Sequence, residues 1–243
     1  MDQLQRTLSD LVQSNSETNP NFDMLVNDYV RWHLVRIFFG GFVFLSLVLL
    51  IIILWRKFKR TPAKANGKWS FEKTVYAIFG TFNIFIALPI FVVVGANIKN
   101  AVNPLHGFGL FTQEFAQSKV SGYSNEMCTA FNSWLQSGKG AMQPILKQQI
   151  HEIIRLYTIK AIIFGALFIL VAILNIYLWK LLIKKSRKNI IQNKTNLKEK
   201  FTLIFGSIFG MITTGISLCV MVVFLVNLQK AFAPLSAFLI GLT

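Results

Sequence analysis

The sequence predicts an all-α, polytopic membrane protein with four transmembrane helices, built as two parallel two-helix repeats with outer amphipathic lead-in helices. Three observations carry that expectation. Of 243 residues, 53% are hydrophobic and 14% charged, with a mean hydropathy of +0.52; a soluble domain has roughly a quarter of its residues charged. The apolar residues gather in four long stretches without Asp, Glu, Lys or Arg. Finally, the order of marker residues in the first half recurs in the second.

The tail up to Arg36 carries three Arg against Asp2, Asp10, Glu17, Asp23 and Asp28. It has no basic n-region and no small-residue cleavage site, so the first apolar stretch is read as an anchor and not a cleavable signal. Within the tail, Phe22, Leu25, Val26, Tyr29 and Val30 recur at three and four residues, which predicts an amphipathic helix with Pro20 in its tolerant first turn. The first uncharged stretch runs from Ile37 to Trp55 and the second from Thr74 to Ile98. About 20 residues suffice to cross roughly 30 Å of hydrocarbon, so each predicts a span. Pro89 lies inside the second and predicts a kink. After it, Leu105 to Phe111 is apolar but too short to cross, and reads as an interfacial or re-entrant segment.

Residues 112–143 are rich in Ser, Gly, Gln and Asn and read as the least regular part of the chain. A second lead-in follows, with Leu146, Ile150, Ile153, Ile154 and Tyr157 at helical spacing behind Pro144. Ala161 to Trp179 and Phe201 to Gln229 predict the third and fourth spans, and Phe232 to Leu242 a second short apolar segment.

Shifting the chain by 124 residues lays Pro20 on Pro144, Arg31 on Arg155, Gly41 on Gly165 and Leu54-Trp55-Arg56 on Leu178-Trp179-Lys180. A shift of 130 lays Asn97, Ala101, Pro104, Leu105 and Phe108 on Asn227, Ala231, Pro234, Leu235 and Phe238. The domains expected are therefore 1–111 as repeat unit 1, with spans near 37–55 and 75–97; 112–135 as an outer connector; and 136–243 as repeat unit 2, with spans near 160–179 and 202–227. Repeats that start on the same side are related by an axis along the membrane normal.

Charge orients the chain. The loop from Arg56 to Lys73 and the loop from Lys180 to Lys200 together hold thirteen of the fifteen net positive charges. Short loops rich in Lys and Arg stay cytoplasmic, so the N-terminus, the 98–160 segment and the C-terminus are expected outside. The excess charge thus marks insertion, with anionic lipid at the inner basic loops as a further expectation, and nucleic acid is not an expected partner. Richness in Lys, Asn, Ile and Phe suggests a bacterial cytoplasmic membrane.

No span contains an ionisable residue, which lowers the standing of ion-coupled transport and intramembrane proteolysis. His33, His106 and His151 lack metal-ligand spacing, no glycine loop has a phosphate-binding context, and neither Cys128 nor Cys219 sits in a nucleophile motif. No catalytic, cofactor or metal site is expected. Among polar residues in the spans, Asn83 and Asn175 read as helix-to-helix hydrogen bonders, and Gly206, Gly210 and Thr214 as a small-residue packing ridge. The function expected is a non-enzymatic membrane protein acting by contact at its extracytoplasmic face. It would be an accessory subunit or an immunity-type protein, with a protein partner or a second copy meeting the ten matched residues of the two A-x-x-P-L segments. The alternative is a channel or transport subunit with its path along the pseudo-twofold axis or an oligomer interface.

Overall fold

The computed structural model describes residues 2–14, 19–62, 69–117, 125–191 and 197–241. Eight helices follow in order: α1 (Asp2–Gln13), α2 (Pro20–Arg60), α3 (Phe71–Val102), α4 (Pro104–Gln117), α5 (Asn125–Ser137), α6 (Pro144–Ile191), α7 (Leu197–Phe232) and α8 (Pro234–Gly241). Lys64, Lys68, Lys194 and the middle of the connector lie outside the described residues.

Prolines set four of the starts. Pro20, Pro104, Pro144 and Pro234 each open a helix, at the position where a missing N–H costs nothing and a fixed φ helps. Two starts also carry side-chain caps. Asn19 Oδ1 accepts from the N–H groups of Asn21 (3.0 Å) and Phe22 (3.1 Å), and Ser70 Oγ accepts from the N–H of Lys73 at 3.2 Å. Helix α3 continues through Pro89 as one element.

Length decides what α2 and α6 do. They contain 41 and 48 residues, so at 1.5 Å per residue they extend about 60 and about 70 Å, twice the thickness of the hydrocarbon layer. The amphipathic lead-ins are the first turns of these same helices. Helix α6 also runs on past Trp179 through its basic stretch to Ile191, where a loop was expected.

The chain divides into two compact units. The first comprises Met1–Gly40, Val93–Ala161 and Leu225–Thr243, and the second Gly41–Val92 and Ile162–Phe224. Both draw on both halves of the sequence.

The first unit has a core of its own. Leu4 and Leu8 of α1, Phe22, Leu25 and Tyr29 of α2, Phe108 of α4, Phe131, Trp134 and Leu135 of α5, Leu146 and Ile150 of α6, and Leu235, Phe238 and Leu239 of α8 are buried in one cluster. Helix α1 packs on α4 and α5. The supposedly irregular connector therefore contains a core helix, because Met127, Phe131 and Trp134 recur along one face of α5 and outweigh the loop-like composition around them. The two short apolar segments are helices as well, and α8 is buried along Leu235 to Leu239.

In the second unit the pattern inverts. Among the described residues, four helices are long and apolar enough to cross a membrane, and at most 11% of the residues in any of their apolar windows are buried. Phe42, Phe85 and Ile162 are each about two-thirds exposed, at 68%, 71% and 67%. So large a contiguous apolar surface is stable only against lipid tails. The chain is an all-α, multi-pass membrane protein.

Candidate functional site

Several buried polar side chains of the first unit, Asp28, His33, Asn97, Gln229 and Ser236, gather along α2. Asp28 is buried and its Oδ2 accepts the N–H of Ser236 at 2.7 Å. That N–H belongs to the first turn of α8, where backbone donors have no partner within the helix. Asp28 thus caps α8 from a distant part of the chain, and its charge opposes the positive end of the helix dipole.

One turn further along α2, His33 Nδ1 lies 2.7 Å from Asn97 Oδ1. The Asn97 amide nitrogen already donates to Val93 O at 2.6 Å, so its oxygen must accept and His33 Nδ1 carries the proton. In the neutral ring, Nε2 is then an acceptor, and this buried atom has no hydrogen-bond partner. Gln229 completes the cluster, donating to Trp32 O at 2.9 Å and accepting from Arg36 Nε at 3.0 Å. The Arg36 guanidinium also sits 5.6 Å from the centre of the Trp32 ring. Beside these groups is a cavity of about 350 Å³ lined by Tyr29, Trp32, His33, Arg36, Asn100 and Phe111, among others.

Asp28 lies more than two helical turns ahead of the uncharged stretch that begins at Ile37. Burial pushes its carboxyl up from 3.8 to about 6, against the opposing pull of Ser236, Arg31 and the Leu235 N–H. A carboxyl whose folded value is raised stabilises the fold when protonated. The benefit is complete below about pH 4 and is lost as pH rises through 6. Acidification from pH 7.5 to 5 should therefore raise the stability of the protein relative to Asp28→Asn by about 1 kcal/mol. Thermal unfolding of the two proteins in detergent across that range checks this, and parallel profiles would remove Asp28 as the cause.

The ten residues of the paired A-x-x-P-L segments all belong to the first unit. Asn97, Phe108, Asn227, Leu235 and Phe238 are buried, while Ala101, Pro104, Leu105, Ala231 and Pro234 are partly buried. Their present work is internal. Phe238 meets Phe131 with ring centres 5.2 Å apart, and Phe108 stands edge-on to Tyr29 at 5.4 Å. The matched positions left open are Val102 and Phe232, each two residues before a helix-opening proline and 79% and 58% exposed.

Known protein families, curated proteins and solved structures were compared with this chain, and none matches. Function must be argued from the residues themselves. Among the described residues, no three of His, Cys, Asp and Glu come together as a metal site requires. Cys128 and Cys219 are free thiols.

Within the second unit, Gly206 and Gly210 lie against α6. A Cβ at Gly206 would come within 2.5 Å of Leu182, and one at Gly210 within 2.6 Å of the Trp179 indole. The next member of the ridge, Thr214, accepts a hydrogen bond from Asn175 Nδ2 at 2.9 Å. Trp179 also stands edge-on to Phe79 at 4.5 Å. Most other polar groups of the spans bond their own helix and not a neighbour. Ser46 donates to Phe42 O (2.8 Å), Asn83 to Phe79 O (2.7 Å) and Ser207 to Leu203 O (2.7 Å). A carbonyl one turn back is always within reach and needs no partner helix. The composition of the spans did not distinguish these two uses.

Sequence reasoning missed Asp28, Arg36 and Gln229 as members of a site. The available signal was a buried-type carboxylate on the apolar face of a predicted amphipathic helix, with Asp28 between Leu25 and Tyr29.

Proposed function

We propose that this is a non-enzymatic membrane protein that works by contact through its first unit, placed at the extracytoplasmic face, as an accessory subunit of a membrane complex or an immunity-type protein. One observation carries the reading. Four short helices and the first turns of the long helices α2 and α6 build a separate core around Trp134, Phe131 and Phe238, which a bare bundle of spans does not need. The spans themselves contain no charged side chain, so the part of the chain with shape and polarity to recognise something is the first unit.

The proposed architecture is a duplicated unit. Each half runs short helix, long helix, long helix, short helix, and the matched prolines 20 and 144, then 104 and 234, open corresponding helices. A bacterial cytoplasmic membrane, with both termini outside, fits the distribution of Lys and Arg. Residues that hold the paired segments together from within would fix the surface offered to a partner, with exposed Val102 and Phe232 as contact candidates.

Affinity capture from native membranes, combined with deletion of the gene, tests this reading. A stoichiometric partner whose loss reproduces the deletion phenotype is expected. A protein that stays alone and conducts solute in liposomes would contradict it. That last outcome belongs to the second reading, a channel subunit, which is favoured by a cavity in the second unit lined by residues of α2, α3, α6 and α7.

A further inference from the structure

That cavity has features a solute path does not explain. It encloses about 440 Å³, and its walls are mainly apolar, including Leu54, Phe79, Ala172 and Leu218. Lys57 and Lys180 also line it. A second cavity of about 340 Å³ shares Lys57 and Tyr76 with the first, and adds Arg60 and Glu72. The Glu72 carboxylate accepts a 2.6 Å hydrogen bond from the Tyr76 hydroxyl. Lys57 lies 5.8 Å from the centre of the Tyr76 ring, which places the ammonium at the junction of the two spaces. An apolar chamber thus adjoins a polar one, with Lys57, Arg60 and Lys180 outnumbering Glu72. Trp179 also lines the apolar chamber, with the edge of its indole turned toward Gly210 of α7.

We propose that these joined cavities hold one anionic phospholipid. Its acyl chain enters the apolar chamber and its phosphate meets Lys57, Arg60 and Lys180. Charge complementarity selects the anionic headgroup, at about fivefold per lysine or arginine near a lipid surface. The apolar walls select a ligand with a hydrocarbon chain. The ligand is therefore held by position-specific groups and not by the diffuse charge of the basic stretches.

Native mass spectrometry of the full chain in detergent tests the site, using dioleoyl phosphatidylglycerol against dioleoyl phosphatidylcholine. One phosphatidylglycerol should be retained more than tenfold better than phosphatidylcholine, as about 1 kcal/mol for each of two net charges requires. K57Q/K180Q should weaken the preference strongly, leaving only the contribution of Arg60, whereas K184Q/K185Q, at exposed lysines outside the cavities, should keep it in full. A172F should reduce retention of the lipid by occupying the chamber, with circular dichroism confirming the helices. Neither inorganic phosphate nor glycerophosphoglycerol should displace the bound lipid. Equal retention of the two lipids would overturn the proposal, as would equal sensitivity to both lysine pairs. Displacement by the chain-free headgroup would reduce the site to one for small anions and overturn it as well.

Discussion

Phe238→Ala should unfold much of the first unit while leaving the membrane helices of the second unit in place. Phe238 is fully buried and packs on Phe131, itself fully buried. Truncating such a ring removes its burial and leaves a cavity, at about 3–5 kcal/mol. The cost falls on a unit with its own core, so it should appear locally. Hydrogen exchange followed by mass spectrometry in nanodiscs should show faster exchange in α1, α4, α5 and α8. Little change is expected in α2 between Gly41 and Arg60. The experiment also separates two roles for this residue. Were Phe238 part of a contact surface, its loss would weaken partner capture without changing exchange; as a core residue it should change exchange first.

The second large effect is expected at Asn21. This side chain is fully buried at the start of α2 and spans three attachments. Its Nδ2 donates to Trp134 O and lies 3.3 Å from Ser137 Oγ, and its Oδ1 accepts the Gly140 N–H at 2.8 Å. Next to it, Asn19 Nδ2 donates to Leu135 O at 2.9 Å. Together the two amides take up carbonyls of the last turn of α5, which have no backbone N–H partner ahead of them in that helix, and Trp134 O also accepts from the Ser137 hydroxyl at 2.7 Å. Gly138 and Gly140 then turn the chain with φ of +58° and +73°, a region open to glycine at no steric cost. Asn21→Ala leaves the Gly140 N–H unpaired and removes one of these carbonyl partners, at about 2–3 kcal/mol. Asn21→Asp should be no better, because a buried carboxylate would face the Trp134 carbonyl. A reduced unfolding temperature with early exchange in α5 is expected for both. An unfolding temperature equal to that of the unmodified protein would show that the α5 terminus is held by other means.

Much of the fold was legible because bilayer physics writes it plainly. Four uncharged stretches of sufficient length can do little else than cross, and Pro20 and Pro144 marked the starts of the two lead-in helices. Core helices α1 and α5 were harder to see. Leu4, Leu8 and Leu11 recur at helical spacing, as do Met127, Phe131 and Trp134, but each set sits among Ser, Asn, Asp and Gln that outweigh it in any average over composition. Pattern, not composition, was the signal. The polar cluster could not be read at all as a cluster. Gln229 meets Trp32 and Arg36 across nearly two hundred residues, and nothing local to any of the three announces the others. The paired A-x-x-P-L segments illustrate the same limit. Their recurrence was visible, but their burial followed from α1 and α5, which the sequence had not revealed.

Contact at the extracytoplasmic face requires the first unit to lie outside the cell. Lys139 lies exposed in the turn after α5, in the first unit, and Lys59 lies exposed near the end of α2, in the second. Each would be replaced in turn, as Lys139→Cys or Lys59→Cys, in a chain carrying Cys128→Ser and Cys219→Ser, and intact cells treated with a membrane-impermeant maleimide. Labelling of the Lys139→Cys protein in intact cells, with the Lys59→Cys protein labelled only after permeabilisation, is the predicted result. The opposite pattern would put the first unit in the cytoplasm and contradict contact at the extracytoplasmic face.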